Sequence, residues 1–269
     1  MFRLAHISDV HLGPLPEVTL RELASKRVVG YVNWQRNRRK YLHDGVLGAI
    51  LNDIKAYQTD HLAVTGDLVN LALDAELELA RFWLEALGPG ENVSVVPGNH
   101  DAYVPGAFDK GCKAWAAYMS GDGETGPISR HKFPYLRVRG NVALIGVTSS
   151  RATAPFMATG FFRSGQAQRL AAILDETGRR GLFRIVMIHH PPVRNAVPPH
   201  KRLFGIGRFQ RVIHRAGAEL VLHGHSHLPT LYQIKGTSGY VPVVGVSAAG
   251  QAPGGSKPPA EWNLLEVAG

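Results

Sequence analysis

The sequence predicts an α/β fold, namely a four-layer α-β-β-α sandwich in which two mixed β-sheets are flanked by helices. Short apolar runs rich in β-branched residues recur along the chain, and a polar loop follows each of them, as expected of buried strands. Helical spacing of apolar residues lies between several of these runs early in the chain, whereas strands dominate later. This order favours two sheets with flanking helices over one purely parallel sheet.

The predicted elements follow from these patterns in chain order. Strands are predicted at 2–8, 61–65, 93–96, 142–148, 183–188, 220–222, 240–246 and, as a last short strand, 262–267. Apolar residues at helical spacing predict helices over 42–54 and 77–87. Ser164 is the predicted N-cap of a third helix. The stretch 250–259 is rich in glycine and proline and predicts a surface loop.

Length and composition bound the class of protein. The 269 residues are expected to form one domain over 1–269, with an inserted basic segment at about 14–40. A hydrophobic fraction of 45% and a charged fraction of 19% are typical of a globular protein with a sizeable core. The single cysteine, Cys112, excludes an internal disulfide framework and a thiolate-rich metal site. With no leader-like segment and no apolar run of about 20 residues, the expected location is the cytoplasm.

The formal net charge of +9 suits an anionic partner. Much of the excess lies between residues 26 and 40, in Lys26, Arg27, Arg36, Arg38, Arg39 and Lys40. A solvated basic face is the simpler interpretation of this run. The alternative is that 26–40 docks on an anionic membrane surface, which would place the protein at the inner membrane face. Nucleic acid is a less favoured partner.

Polar clusters follow five of the predicted strands at their carboxyl ends. They comprise Asp9 and His11; Asp67; Asn99, His100 and Asp101; His189 and His190; and His225 and His227. Such strand ends meet at one edge of an α/β fold, so these side chains are expected to converge. Imidazole and carboxylate ligands suit zinc, iron or manganese. A carboxylate such as Asp67 can bridge two ions about 3.5 to 4 Å apart, which is the arrangement that clamps a phosphoryl group in two-metal enzymes.

The motifs occur as DVH at 9–11, GD at 66–67, GNHD at 98–101, HH at 189–190 and GHSH at 224–227. In this order they resemble those of the calcineurin-like metallophosphoesterase superfamily. The resemblance implies two metal ions, of iron, manganese or zinc, with Asp67 as the bridge. It assigns Asp9, His11 and His227 to the first ion and Asn99, His189 and His225 to the second. His189 is preferred to His190 because the first histidine of the pair takes the ligand position in the family.

The same resemblance implies roles around the metals. His100 is then not a ligand but contacts the phosphate and protonates the leaving oxygen or stabilises its charge. Asp101 orients His100 through a hydrogen bond. The implied nucleophile is a water or hydroxide held between the ions, since metal binding lowers the pKa of bound water. Arg151, which follows a strand, is a candidate substrate contact, with a structural carboxylate as its alternative partner.

Differences from the motifs of other branches of the superfamily narrow the range of possible substrates. The sequence GDLVNLA lacks the arginine of the GDxxDRG motif in protein phosphatases, and Asn70 stands where purple acid phosphatases have an iron-binding tyrosine. The motifs are most similar to those of small bacterial class III cyclic-nucleotide and glycerophosphodiester phosphodiesterases, so a phosphodiesterase is predicted. Alternatives are a peripheral hydrolase of a lipid-linked phosphodiester or pyrophosphate, a nuclease without the usual long C-terminal capping region, and a non-enzymatic scaffold. Retention of every ligand disfavours the scaffold, because buried Asp and His clusters without metal carry a desolvation cost.

Overall fold

A computed structural model describes residues 1–38, 44–124 and 126–268. The strands are β1 (Phe2–Ile7), β2 (His61–Val64), β3 (Val93–Val95), β4 (Tyr135–Arg139), β5 (Val142–Val147), β6 (Gly160–Phe161), β7 (Phe183–Ile188), β8 (Leu203–Phe204), β9 (Leu220–His223), β10 (Thr230–Lys235), β11 (Tyr240–Gly245) and β12 (Asn263–Val267). The helices are α1 (Leu20–Leu23), α2 (Arg27–Asn33), α3 (Asp44–Ala56), α4 (Asp74–Leu87), α5 (Ala107–Ala114), α6 (Ser164–Arg179) and α7 (Ile206–Ala216). A π-helical turn, Trp34–Arg38, continues α2, and short 3₁₀ helices lie at Ala116–Tyr118, Arg130–Lys132 and Pro199–Lys201.

Two large mixed sheets form the centre of the fold. The first has the strand order β12-β1-β2-β3, and the second has the order β10-β11-β9-β7-β5-β4. Inner strands pair in parallel, whereas β12, β10 and β4 join their neighbours antiparallel at sheet edges. The parallel strands β1, β2, β3, β5, β7 and β9 therefore bring their carboxyl ends, and the loops that follow, to shared edges.

Alternation along the strands of the second sheet separates two hydrophobic cores. In β7, Ile185 and Met187 belong to the core that faces the first sheet and α3 to α5. Val186 and Ile188 belong to the core that packs against α6 and α7. Because successive side chains of a strand point to opposite faces, β7 is covered on both sides. The layers therefore run helix, sheet, sheet, helix, as predicted.

The predicted strands are all present, with ends that agree to within one residue. Predicted helix 77–87 is the later part of α4, and predicted helix 42–54 overlaps α3, although its first two residues lie outside the described ones. Ser164 is the first residue of α6 and not its cap, since Arg163 occupies the N-cap position without a side-chain hydrogen bond. In the described ranges, every helix is too short or too polar to cross a bilayer.

Candidate metal centre

The predicted ligands occupy loops directly after strands, and most of them have an unusual backbone. Left-handed φ angles occur at Asp9 (53°), His11 (48°), Asp67 (56°), His225 (68°) and His227 (56°). A residue with a side chain adopts this conformation at a cost of about 1–3 kcal/mol, and such strain persists mainly at functional sites. The loops thus aim their side chains at one point at the expense of local backbone energy.

Asp67 lies between two groups of histidines. Its Oδ2 atom is 3.9 Å from His11 Nε2 and 3.4 Å from His189 Nε2. Its other oxygen, Oδ1, accepts a 2.7 Å hydrogen bond from the backbone N–H of His100. One carboxylate oxygen therefore faces both groups while the second fixes the orientation of the carboxylate.

The other predicted ligands complete the two groups. Asp9 Oδ1 lies 3.2 Å from His227 Nε2, and Asp9, His11 and His227 form a cluster that could hold one cation. Asn99 Oδ1 lies 3.2 Å from His189 Nε2. Ligand atoms of His189 and His225 also come together in a cluster with His190. The structure thus brings all seven predicted ligands together, in two groups joined by Asp67.

Hydrogen bonds from the histidines to carbonyl oxygens define which ring nitrogen faces the site. His11 Nδ1 lies 3.1 Å from Val69 O, and His189 Nδ1 lies 2.7 Å from Thr65 O. His225 uses Nε2 instead, 3.0 Å from Lys201 O. Because a carbonyl only accepts, each of these nitrogens carries the hydrogen, and the opposite nitrogen is the one available to a cation. Metal-binding histidines are typically held in this way.

A further observation supports a pair of cations at this set of donor atoms. Asp9 Oδ1 is buried and has no well-formed hydrogen bond within the described chain, although His227 Nε2 lies 3.2 Å away. An ionised oxygen without a donor is costly in the interior unless a cation neutralises it. His190 fits less well than His189, because its Nδ1 pairs with Ser149 Oγ and its Nε2 with Ala158 O. The geometry therefore favours His189 as the ligand.

The charges of the buried groups depend on one another. Burial alone would raise the pKa values of Asp9 and Asp67, but the surrounding histidines outweigh burial and lower both. Burial lowers the pKa of His189, yet the charge and hydrogen bond of Asp67 dominate and raise it to about 9. Without metal, His189 therefore carries a proton that a bound cation has to displace, so metal binding releases protons.

Asp101 has a different role from the predicted one. Its Oδ1 accepts hydrogen bonds from the N–H groups of Leu68 and Val69, and its Oδ2 accepts from those of Asp67 and Gly98. The carboxylate thus ties together the two loops that carry Asp67 and Asn99. His100 is oriented by another group, since its Nδ1 donates to Asn70 O over 2.5 Å. The prediction that Asp101 hydrogen-bonds His100 was wrong.

The His100 ring is held between two other rings. It stacks on Tyr103 with centroids 5.2 Å apart, and it meets the edge of His11 at 4.9 Å. The neighbouring His11 belongs to the first metal group, so His100 lies directly beside that group. The ligand atoms of His11, Asp67 and His100 also lie close enough together to hold a cation, so the role of His100 outside the metal ligands stays a prediction from the family resemblance.

A cleft of about 480 Å³ opens over the site. Besides ligands and His100, its lining includes Lys26, Gly30, Asn33, Trp34 and Arg36 from the inserted segment, together with Tyr103, Phe156, Met157, Ala158, His200 and Lys201. The inserted segment therefore borders the site, although Arg39 and Lys40 lie outside the described residues. Sequence reasoning missed the contributions at 156–158 and 200–201, because neither stretch carries a motif.

Lys26 attaches the inserted segment to the opposite loop. Its Nζ donates to Thr153 Oγ1 (2.7 Å) and Met157 O (2.8 Å) and lies 4.6 Å from the centroid of the Tyr103 ring. Burial lowers the pKa of Lys26 to about 8, although the charge of Asp67 opposes the shift. Lys26 is therefore mostly cationic at pH 7 and loses its charge as the pH rises past about 8.

Arg151, predicted as a substrate contact, does not line the cleft. Its Nη2 donates to Thr159 Oγ1 over 2.8 Å, and its guanidinium lies near the rings of Phe161 and Phe204. The alternative partner, a structural carboxylate, is not found either within the described chain. Arg151 supports the loop at 159–161.

A family model, calcineurin-like phosphoesterase, matches residues 2–229. The chain therefore belongs to the calcineurin-like phosphoesterase family. Dimetal phosphatases of this family use two divalent ions, and the His and Asp clusters of this chain could hold such a pair. No curated protein matches the chain.

Solved structures agree with the fold. A dimetal phosphatase from Danio rerio is 14% identical, with a TM-score of 0.58 over 94% of this chain and 89% of that one. A purple acid phosphatase from yellow lupin (Lupinus luteus) seeds is 15% identical, with a TM-score of 0.55 over 95% of this chain and 46% of that one. This chain thus spans about half of the lupin enzyme. At these identities the likeness shows the fold alone.

Proposed function

We propose that the chain is a dinuclear metal-dependent phosphodiesterase, similar to the bacterial class III enzymes that its motifs resemble. One observation carries the proposal: Asp67 Oδ2 faces His11 on one side and His189 on the other, at the base of a cleft. Asp9, His11 and His227 would hold one ion, and Asn99, His189 and His225 the other. The mixed nitrogen and oxygen donors suit iron, manganese or zinc. When bound, the two ions supply Lewis-acid stabilisation of the phosphoryl oxygens and a more acidic water.

The residues of the chain contribute positioning and a proton. Asn70 O fixes the tautomer of His100, and Tyr103 and His11 fix the plane of its ring. With Nδ1 bound to Asn70 O, a doubly protonated His100 beside the first metal group is suited to protonate the leaving oxygen from Nε2 or to stabilise its charge. Asp101 holds the loops of Asp67 and Asn99 together, and it affects the reaction by positioning these two residues.

The shape of the cleft supports a diester over a monoester. A volume of about 480 Å³ exceeds the space that a phosphate group needs, and the cleft extends to two separate stretches of chain, 26–36 and 156–158. The phosphorus of a diester carries two groups that such a cleft can accept. Positive charge for an anionic substrate comes from Lys26, Arg36 and Lys201 in the lining of the cleft. Within the described lining, arginines are not grouped around the metal ligands to grip a terminal phosphate.

Hydrolysis of a monoester is the direct alternative, because the Danio rerio and yellow lupin proteins described above are named phosphatases. The test compares bis(p-nitrophenyl) phosphate, p-nitrophenyl phosphate and a 2′,3′-cyclic nucleotide with one stock of metal-analysed enzyme. We expect kcat/KM to be highest for a diester. The control is Asp67→Asn, which should lose bound metal and activity together. A higher kcat/KM for the monoester would reject the diester preference but retain the dinuclear site.

A second candidate is hydrolysis of a lipid-linked phosphodiester or pyrophosphate. Val32 and Phe156 line the cleft although 42% and 78% of their surfaces are exposed, and Val28 on the same helix is also exposed. With Lys26 and Arg36 nearby, the rim combines apolar and basic groups, as interfacial enzymes do. Co-sedimentation with anionic liposomes at low salt should be lost in Val32→Ser/Phe156→Ser and retained in the control Leu79→Ser. Absence of wild-type co-sedimentation would reject this candidate.

A further inference from the structure

A second cavity lies beside the start of α6. Its volume is about 550 Å³, and in the described chain it shares no lining residue with the metal cleft. Four arginines line it, namely Arg130, Arg163, Arg169 and Arg208. Within the described ranges no acidic residue lines the cavity, and none of these arginines forms an ion pair. The lining of the cavity is thus strongly cationic, although the carboxylate of Asp109, outside the lining, acts on Arg130.

Three of the four guanidinium groups are held in place by main-chain carbonyls. Arg169 donates through Nε and Nη2 to Phe133 O, and Arg208 donates through Nη1 to Phe162 O over 2.6 Å. Arg130 donates to Ser150 O and packs 3.8 Å from the centroid of the Phe108 ring. Each guanidinium has five N–H donors, so several remain on each group. Arg130, Arg169 and Arg208 are therefore held in place before any ligand arrives.

The electrostatic cost of this arrangement indicates what the cavity would bind. Burial lowers the pKa of Arg130, and the positive charge of Arg163 lowers it further. Like charges confined to a cavity repel one another, and an anion that enters relieves this repulsion. The first N–H groups of α6 have no side-chain cap and add to the positive potential.

We propose that this cavity is a second anion site, which binds a phosphate-bearing molecule with several negative charges, such as pyrophosphate or the diphosphate of a nucleotide. Planar guanidinium forks match the geometry of phosphate oxygens. Four positive charges exceed the charge of one phosphate, and a volume of about 550 Å³ exceeds the space that one phosphate fills. The site is separate from the metal cleft and does not depend on the reaction catalysed there.

The test is calorimetric titration of the metal-loaded protein with inorganic phosphate, pyrophosphate and ADP at constant ionic strength. The variant Arg163→Gln/Arg169→Gln removes two charges from the cavity. The control Arg211→Gln/Arg215→Gln removes two charges from exposed positions on α7, outside both cavities. Because neither pair lines the metal cleft, any binding there is common to all three proteins and cancels in the comparison.

We expect pyrophosphate or ADP to bind the wild type and the control alike, and about 100-fold more weakly to the cavity variant, since each lost charge-assisted contact is worth about tenfold or more. ADP binding without pyrophosphate binding would require a base contact and would reject a phosphate-directed site. Phosphate binding as tight as pyrophosphate would reject the multiply charged ligand. Equal affinity in all three proteins, or equal losses in both variants, would overturn the proposal. Activity on a small chromogenic diester should be unchanged in the cavity variant, which shows that it is folded.

Discussion

Gly98 allows the loop of Asn99 to lie against Asp67. A Cβ atom at position 98 would lie 2.5 Å from Asp67 N and 2.7 Å from Asp67 Cγ, and closer still to Oδ1. An ordinary contact begins near 3.4 Å, so Gly98→Ala must separate the two loops by about 0.9 Å. Metal sites tolerate displacements of only about 0.5 Å. We therefore expect metal affinity to fall by about 10- to 100-fold, and the free energy of unfolding by about 1–3 kcal/mol.

Metal affinity is measured by competition with a chelator, and unfolding by denaturant titration of metal-free protein. The control is Gly48→Ala, because a Cβ there meets nothing within 4 Å and alanine favours the helix α3. This control should keep its metals and gain slightly in stability. If Gly98→Ala binds two ions as tightly as the wild type, close contact between these loops is not what positions Asp67.

Three further predictions concern the surroundings of the metals. His100→Ala should keep both ions and lose roughly 10²- to 10⁴-fold in kcat, with the smallest loss for nitrophenolate leaving groups; equal losses for all leaving groups would remove the acid role. Asp101→Asn, measured at pH 8, should lose about 3 kcal/mol of unfolding free energy together with metal affinity, because an amide nitrogen cannot accept two of the four N–H bonds. If Asp101→Asn instead keeps its stability and its metals, and loses activity by a factor that depends on the leaving group, then Asp101 does orient His100. Lys26 is cationic below a pKa of about 8, so KM for an anionic diester should rise as the pH passes 8 in wild type and stay flat in Lys26→Met; the same pH profile in both would exclude Lys26 from substrate binding.

The ligands could be found from sequence because each follows a buried strand whose apolar run is easy to recognise. Asp9 and Asp67, for example, come directly after runs of five and six consecutive buried residues, 4–8 and 61–66. The role of Asp101 could not be found in this way. Its partners are backbone N–H groups at 67–69 and 98, and such contacts depend on how two loops pack and not on residue type.

The glycines that precede the ligands show the same limit of prediction from sequence. Glycines 66, 98 and 224 each precede a ligand, but only Gly66 has a positive φ, of 100°. Gly98 and Gly224 are required by close approach, since a Cβ at Gly224 would overlap Ser8 and lie 2.7 Å from Asp9 Oδ2. Sequence reveals a glycine, whereas only the packed loops reveal why it is needed.

Four of the described strands were not predicted: β6 and β8 form a separate two-stranded sheet, and β4 and β10 are the two edges of the second sheet. In β4, Arg137 interrupts the apolar run, yet it is buried because its guanidinium donates to Ser120 O and Val93 O. In β10, Leu231 is 72% exposed, so the strand has no continuous buried face. A search for apolar runs overlooks strands whose run is interrupted in this way, whereas the edge strands β3 and β12 of the first sheet were found.

The central claim is that two ions share Asp67. The most direct measurement is an anomalous difference map from crystals of the metal-loaded protein, recorded at the absorption edge of the bound metal. We expect two peaks about 3.5 to 4 Å apart with Asp67 Oδ2 between them, one beside His11 and His227 and the other beside His189 and His225. A single peak, or two peaks that do not both contact Asp67, would contradict the dinuclear site.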